Sequence, residues 1–130
     1  MKILSFGEIL WDVFPDEKKI GGAPFNFAAH SARLGAESYL VSAVGADENG
    51  ADALEEAKRL GIRCDYIATD RRYKTGYCAV TLENGMPKYD LVTDVAYDHI
   101  PDVLPSGEYD ALYMGTLAMR SPDSRRSFEK

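Results

Sequence analysis

Gly21-Gly22-Ala23-Pro24-Phe25-Asn26-Phe27-Ala28-Ala29-His30-Ser31-Ala32-Arg33-Leu34-Gly35 is the stretch whose reading decides the fold. Two glycines lead into a proline, which costs nothing in a first helical turn because its missing N–H would be unpaired there anyway. Phe25 to Leu34 is alanine-rich, and Gly35 stands where a helix closes in a left-handed cap. On the amino-terminal side, Ile3-Leu4-Ser5-Phe6 is a short apolar run ended by Gly7, the pattern of a buried strand. On the other side, Tyr39-Leu40-Val41-Ser42-Ala43-Val44 repeats that pattern and closes at Gly45. Asp47 is a natural helix N-cap. Ala53, Leu54, Ala57 and Leu60 then share one helical face, with Glu55 and Arg59 spaced to pair on another. Gly61 marks the end, and Ile62 to Ala68 reads as a third short strand. Strand, helix, strand, helix, strand implies parallel strands joined by right-handed crossovers, an α/β sheet.

Further along, the rhythm changes. Gly76 to Leu82 alternates as a strand does, Asn84-Gly85 is a strong hairpin signal, and Lys88 to Val92 returns. Trp11-Asp12-Val13-Phe14 also alternates, ends at Pro15, and is followed by a polar, turn-like Asp16 to Lys19. Together these predict a small antiparallel layer beside the main sheet. After a turn over Pro101 to Pro105, Ala111 to Met114 reads as another core strand ended by Gly115. Ser121 then caps a last helix that opens with Pro122. The chain ends at Lys130 inside that helical pattern, so truncation is expected.

Composition narrows the function. The 130 residues are 45% hydrophobic and 28% charged, with a formal net charge of −6. That is the balance of a soluble globular domain. The acidic balance argues against nucleic acid, which is held mainly by basic surface. No apolar run is long enough to span a bilayer, and the first ten residues are too polar for a secretory signal. Cys64 and Cys78 show no metal-ligand spacing and read as free thiols of a reducing cytoplasm.

Few residues suggest chemistry. Gly21-Gly22 before a helix lets backbone approach a ligand, and Asn26 in the first turn offers both donor and acceptor. The same residues also fit a plain tight turn. Asp12 is out of character in a strand. It fits either a carboxylate clamping two sugar hydroxyls or a solvent-facing strand end. Asp90, Asp94 and Asp98 read as solvated surface, and His30 as structural. His99 has no metal-like company, and no nucleophile can be assigned from spacing.

Taken together, Gly7-Glu8-Ile9-Leu10-Trp11-Asp12, Gly21-Gly22-Ala23-Pro24-Phe25-Asn26, Ala32-Arg33-Leu34-Gly35 and Val44-Gly45-Ala46-Asp47 with Gly50 resemble the opening of the ribokinase-like (PfkB) carbohydrate kinases. Trp-Asp-Val-Phe-Pro with Gly-Gly-Ala-Pro-Phe-Asn-Phe is most similar to the fructokinase-like branch. The resemblance implies the amino-terminal part of an α/β/α sandwich carrying a small β-sheet lid, with lid strands at about 11–20 and 76–92. It implies that Asp12, Gly21, Gly22 and Asn26 contact a sugar, with Gly115 and Arg120 near the same pocket. By the same resemblance, Asp47 caps its helix rather than touching substrate.

The family's second signature, Gly-Ala-Gly-Asp, supplies the base and the anion hole for phosphoryl transfer. Gly45-Ala46-Asp47 lacks its second glycine and is not that motif. The catalytic aspartate and the ATP and Mg2+ sites are therefore expected beyond residue 130, with the fragment inactive alone. Two other readings are a non-enzymatic module dimerising through its lid and a nucleoside kinase of the same family. Half of such a sheet would leave a strand edge unpaired and apolar surface uncovered. An oligomeric or aggregation-prone chain is expected in sedimentation, and a thermally stable, monodisperse monomer would contradict that.

Overall fold

The structure, a computed structural model, describes residues 1–102, 105 and 107–129. Strand β1 (Lys2–Phe6) runs into β2 (Leu10–Val13) and β3 (Lys18–Gly21), and helix α1 (Ala23–Arg33) follows. Next come β4 (Glu37–Gly45), α2 (Glu48–Arg59), β5 (Ile67–Asp70), β6 (Gly76–Glu83) and β7 (Met86–Leu91). A 3-10 turn (Ala96–His99), β8 (Ala111–Met114), a second 3-10 turn (Ala118–Arg120) and α3 (Pro122–Glu129) complete the order.

Two four-stranded sheets result. The first, in the order β5-β4-β1-β8, is wholly parallel, as the strand–helix rhythm predicts. Ile9, Phe25, Ala28, Leu40, Val44, Ala53 and Ala57 fill the core shared with α1 and α2. Phe6, Val41, Tyr97, Ile100 and Ala118 fill a second cluster. Small residues let α1 come close to the sheet, and the buried Ser38 hydroxyl donates to the Ala28 carbonyl at 2.9 Å.

The second sheet, β3-β2-β6-β7, is the smaller layer, but it is not purely antiparallel. β2 pairs with β6 in parallel, Leu10 opposite Gly76. The reason is topological. β2 leaves β1 and β6 leaves the β5 side of the main sheet in the same direction, so they meet side by side. Lys18–Gly21, expected in part as a turn, is a strand because it pairs antiparallel with β2. The hairpin forms as expected, with Asn84 and Gly85 at φ 53° and 78°, a pair of left-handed residues suited to a two-residue turn.

Other boundaries also move. Ile62 to Ala68 is not one strand. Ile62 N–H closes the α2 terminus on the Ala57 carbonyl, Arg63 makes a single bridge to Tyr39, and regular pairing starts only at Ile67. In the Pro101 to Pro105 turn, Val103 and Leu104 lie outside the described residues. Ser121 sits at the start of α3 as predicted, but its hydroxyl donates to the Asp98 carbonyl.

Two junctions tie the smaller sheet to the main one. At the first, Asp47 caps α2, accepting from Gly50 N–H at 2.7 Å and from the Thr75 hydroxyl at 2.6 Å. Thr75 in turn accepts from Gly45 N–H at 2.8 Å, so the end of β4 is pinned to the start of β6. Burial works against the Asp47 charge. The bonds from Thr75 and Gly50 outweigh it and hold the carboxyl below its ordinary range.

The second junction is centred on His99. Its Nδ1 lies 2.8 Å from Asp123 on α3 and its Nε2 lies 2.7 Å from Asp94, just past β7. Tyr73 stacks on the ring at 3.7 Å. A neutral imidazole has only one N–H, so holding both carboxylates requires the imidazolium. Burial opposes that charge, but the two aspartates prevail and the pKa is raised above its ordinary 6.5. The clamp therefore contributes fully below 6.5 and is lost as pH rises through the higher folded value. The melting temperature is expected to fall by a few degrees across that window, a fall that His99→Gln abolishes. Equal slopes in a thermal melt series of the two proteins would contradict the clamp.

Candidate functional site

The ends of β1 and β8 and the start of α1 converge at one point. Gly22 precedes α1 at φ 104°, a left-handed conformation natural to glycine. A Cβ there would lie 2.6 Å from the Glu8 carbonyl. Gly115, which ends β8, donates its N–H to the Phe6 carbonyl at 3.0 Å. A Cβ on Gly115 would stand 2.6 Å from Pro24 Cγ and 3.1 Å from Glu8 Oε1. Only backbone fits at either position.

Asp12 lies on β2 between its partners Lys19 on β3 and Cys78 on β6. It is half-buried, and its Oδ2 lies 3.4 Å from where a Gly21 Cβ would be. Among the described residues no hydrogen bond or ion pair engages the Asp12 carboxylate. The structure thus brings Asp12 to Gly21, and sets Gly22 and Gly115 each against Glu8 at the entry to α1. Asn26 is in the first turn, its N–H donating to the Gly22 carbonyl at 2.9 Å. Its side chain is exposed and lines a depression of about 430 Å³ with Ile20, Phe25, His30 and Arg33.

Arg120 is engaged within the fold. It holds Asp98 with two bonds of 2.8 and 2.9 Å, and reaches the Val92 carbonyl and the Tyr97 hydroxyl, each at 3.0 Å. Asp98 is therefore not solvated surface, as its polar neighbours suggest. It is 4% exposed, and its second role is to accept from Val95 N–H at 3.2 Å. Asp90 is exposed as expected, and Asp94 is exposed although bonded to His99. The Arg120 bracket holds the chain leaving β7 against the 3-10 turns. Burial pushes the Tyr97 hydroxyl up to about 12, so it stays a neutral partner.

Glu8 is the site residue that spacing did not single out. It is buried, and its Oε2 accepts from Ala23 N–H, the first helical amide, at 3.2 Å. Burial raises its pKa, and Arg120 only partly offsets that. The available signal was its position one residue after Gly7, within the quoted run, but a glutamate there carries no periodicity that marks it as buried.

Comparison with known proteins gives the family. The model of the pfkB family carbohydrate kinases matches residues 2–126. The chain belongs to that family. It is similar to the uncharacterized sugar kinase PH1459 of Pyrococcus horikoshii, with 36% identity over 106 residues, covering 73% of this chain and 34% of the relative. It is also similar to a fructokinase of Solanum tuberosum, with 35% identity over 92 residues, covering 62% of this chain and 29% of the relative. The solved structure of PH1459 superposes with a TM-score of 0.80 at 27% identity, covering 98% of this chain and 47% of that one. The apo fructokinase of Vibrio cholerae O395 shares the fold, with a TM-score of 0.86, 24% identity, and coverage of 98% and 47%. The family member thus spans about a third of the curated relatives' length and about half of the solved chains. No helix among the described residues is long and apolar enough to cross a membrane.

The Asp98–Arg120 pair yields a direct test. Removing one partner of a buried pair leaves the other charge uncompensated, at a cost of about 3 kcal/mol or more. Asp98→Ala is expected to lower the unfolding free energy by about that amount in urea titration. A loss under about 1 kcal/mol, the range of exposed ion pairs, would show the bracket to be incidental.

Proposed function

We propose that this chain is the sugar-binding part of an ATP-dependent carbohydrate kinase acting on a hydroxymethyl group, with fructose as the substrate. The observation that carries the reading is the unengaged Asp12 carboxylate overhanging Gly21. A carboxylate accepts from two neighbouring hydroxyls at once, and glycine backbone beside it leaves room for a sugar ring. Gly22 and Asn26 extend that surface along the first turn of α1. The names of the relatives support the choice of sugar. The Vibrio cholerae O395 fructokinase has been solved with fructose, ADP and calcium ion, and PH1459 with ATP.

In the whole reaction, a sugar hydroxyl oxygen bonds to the γ-phosphorus as the bond to the ADP oxygen breaks, and a base takes the hydroxyl proton. In this reading the base, ATP and Mg2+ belong to the part of the relatives' length that this chain does not span. Its own residues bind and orient the sugar, in the cytoplasm.

A second feature favours association through the smaller sheet. Leu82, Met86 and Tyr89 are 75%, 69% and 66% exposed on the β6–β7 hairpin. Leu82 and Tyr89 share one sheet face and line an apolar hollow with Phe14, Val80 and Pro87, a surface suited to a second copy of the same face, whereas Met86 lies on the opposite face. Pro87 interrupts the donors of the β7 edge, so contact runs through the sheet face rather than by added strands.

Isothermal titration calorimetry tests the sugar reading. The 130-residue chain is expected to bind D-fructose, and Asp12→Ala to weaken it about tenfold or more while leaving the melting temperature near the parent value. Equal affinity in both proteins would overturn the assignment. Displacement of fructose by adenosine would favour a nucleoside kinase instead.

A further inference from the structure

Glu8 is 5% exposed, and only one of its carboxyl oxygens is used. Oε2 takes the Ala23 N–H, whereas Oε1 is buried with no hydrogen-bond partner. An unsatisfied buried acceptor costs about 1–3 kcal/mol, and a charged one more. Structures seldom retain such an atom unless a ligand, a water or a proton completes it.

The surroundings narrow that choice. Oε1 lies under Gly115, within 3.1 Å of where a side chain there would begin, and the Glu8 carbonyl and Cγ lie under Gly22. Its cover at both positions is glycine backbone. The charged and titratable groups facing it are Arg120 and Tyr97, on the two 3-10 turns. Arg120 is committed to Asp98, Val92 and Tyr97 and makes no bond to Glu8. The Tyr97 hydroxyl accepts from Arg120. Among the described residues no donor reaches Oε1.

We propose that Glu8 is a binding residue of the sugar site, whose Oε1 accepts from a ligand hydroxyl entering beside Gly115, directly or through one water, while Oε2 holds the first turn of α1. This rests on the sugar-site reading above and adds to it a second carboxylate, beside Gly115. The chemistry selects a polyhydroxy ligand, because each of the two acids needs hydroxyl donors of its own. It also makes binding depend on pH. In the free chain, burial favours the protonated acid. A donated hydroxyl favours the charged acid, so ligand lowers the Glu8 pKa. By linkage, affinity rises with pH between the bound and free values.

The test is a carbon-detected NMR pH titration of the Glu8 carboxyl in the 130-residue chain, with and without excess D-fructose. Calorimetry on Glu8→Gln is run alongside. The free midpoint is expected above the ordinary 4.5 and is expected to move down when fructose is added. Wild-type affinity should rise about tenfold for each unit of that movement. Glu8→Gln, which keeps an acceptor for Ala23 N–H, should bind about tenfold more weakly at neutral pH, with a flat pH profile. Fructose binding with an unmoved Glu8 midpoint overturns the role of Glu8 and leaves the sugar site standing. A folded chain that binds no fructose at any pH overturns both. Should Glu8→Gln fail to fold, the wild-type midpoint alone decides.

Discussion

The whole arrangement depends on how closely the backbone of β1, β8 and α1 can approach around one proline. Pro24 Cγ would stand 2.5 Å from a Cβ on Gly7 and 2.6 Å from one on Gly115. Real Cβ atoms do not come that near, so any side chain at either position would force β1, β8 or α1 apart. The carboxyl end of a parallel sheet is where an α/β fold presents ligands to helix N-termini. In this chain that end is sealed with glycines and a proline, which sets the Glu8 carboxylate against the first amide of α1 and leaves the Asp12 carboxylate beside Gly21.

The smaller sheet is positioned from that same point. β2 leaves directly after Glu8 and carries Asp12 over Gly21, while the Asp47–Thr75–Gly45 junction aligns β6 beside it. The return from β7 is then fixed twice, by Arg120 on Asp98 and Val92 and by His99 between Asp94 and Asp123. These polar brackets reinforce an apolar seam, because Trp11, Val13, Ile20 and Tyr77 of the smaller sheet pack on the core shared with α1 and α2. The smaller sheet is held both by burial and by a few charge-assisted bonds. Family membership agrees with a parallel main sheet that carries a small second sheet.

Much of this was legible in the residues. Gly35 at φ 96°, Gly61 at 86° and the Asn84-Gly85 pair punctuate the chain as their types require. The buried strands announced themselves as short apolar runs. The failures share a cause, namely partners distant in sequence. Lys18 to Gly21 becomes a strand because β2 offers a ladder, against its polar composition. Asp98 lies in a polar stretch, and only Arg120, 22 residues later, explains its burial. Glu8 was visible as part of a family-like run, yet its burial depends on three elements meeting. Asn26 keeps its backbone at the shared turn, and its exposed side chain lines a depression with Ile20, Phe25, His30 and Arg33.

The central claim is that the convergence of Asp12, Gly21, Gly22 and Gly115 is where a sugar sits. Backbone amide chemical-shift mapping of the chain on titration with D-fructose tests it most directly. The account predicts that the largest changes fall on Leu10 to Asp12, Gly21 to Asn26 and Gly115. Changes centred on His30, Arg33 and Arg59, or none at saturating sugar, would contradict it.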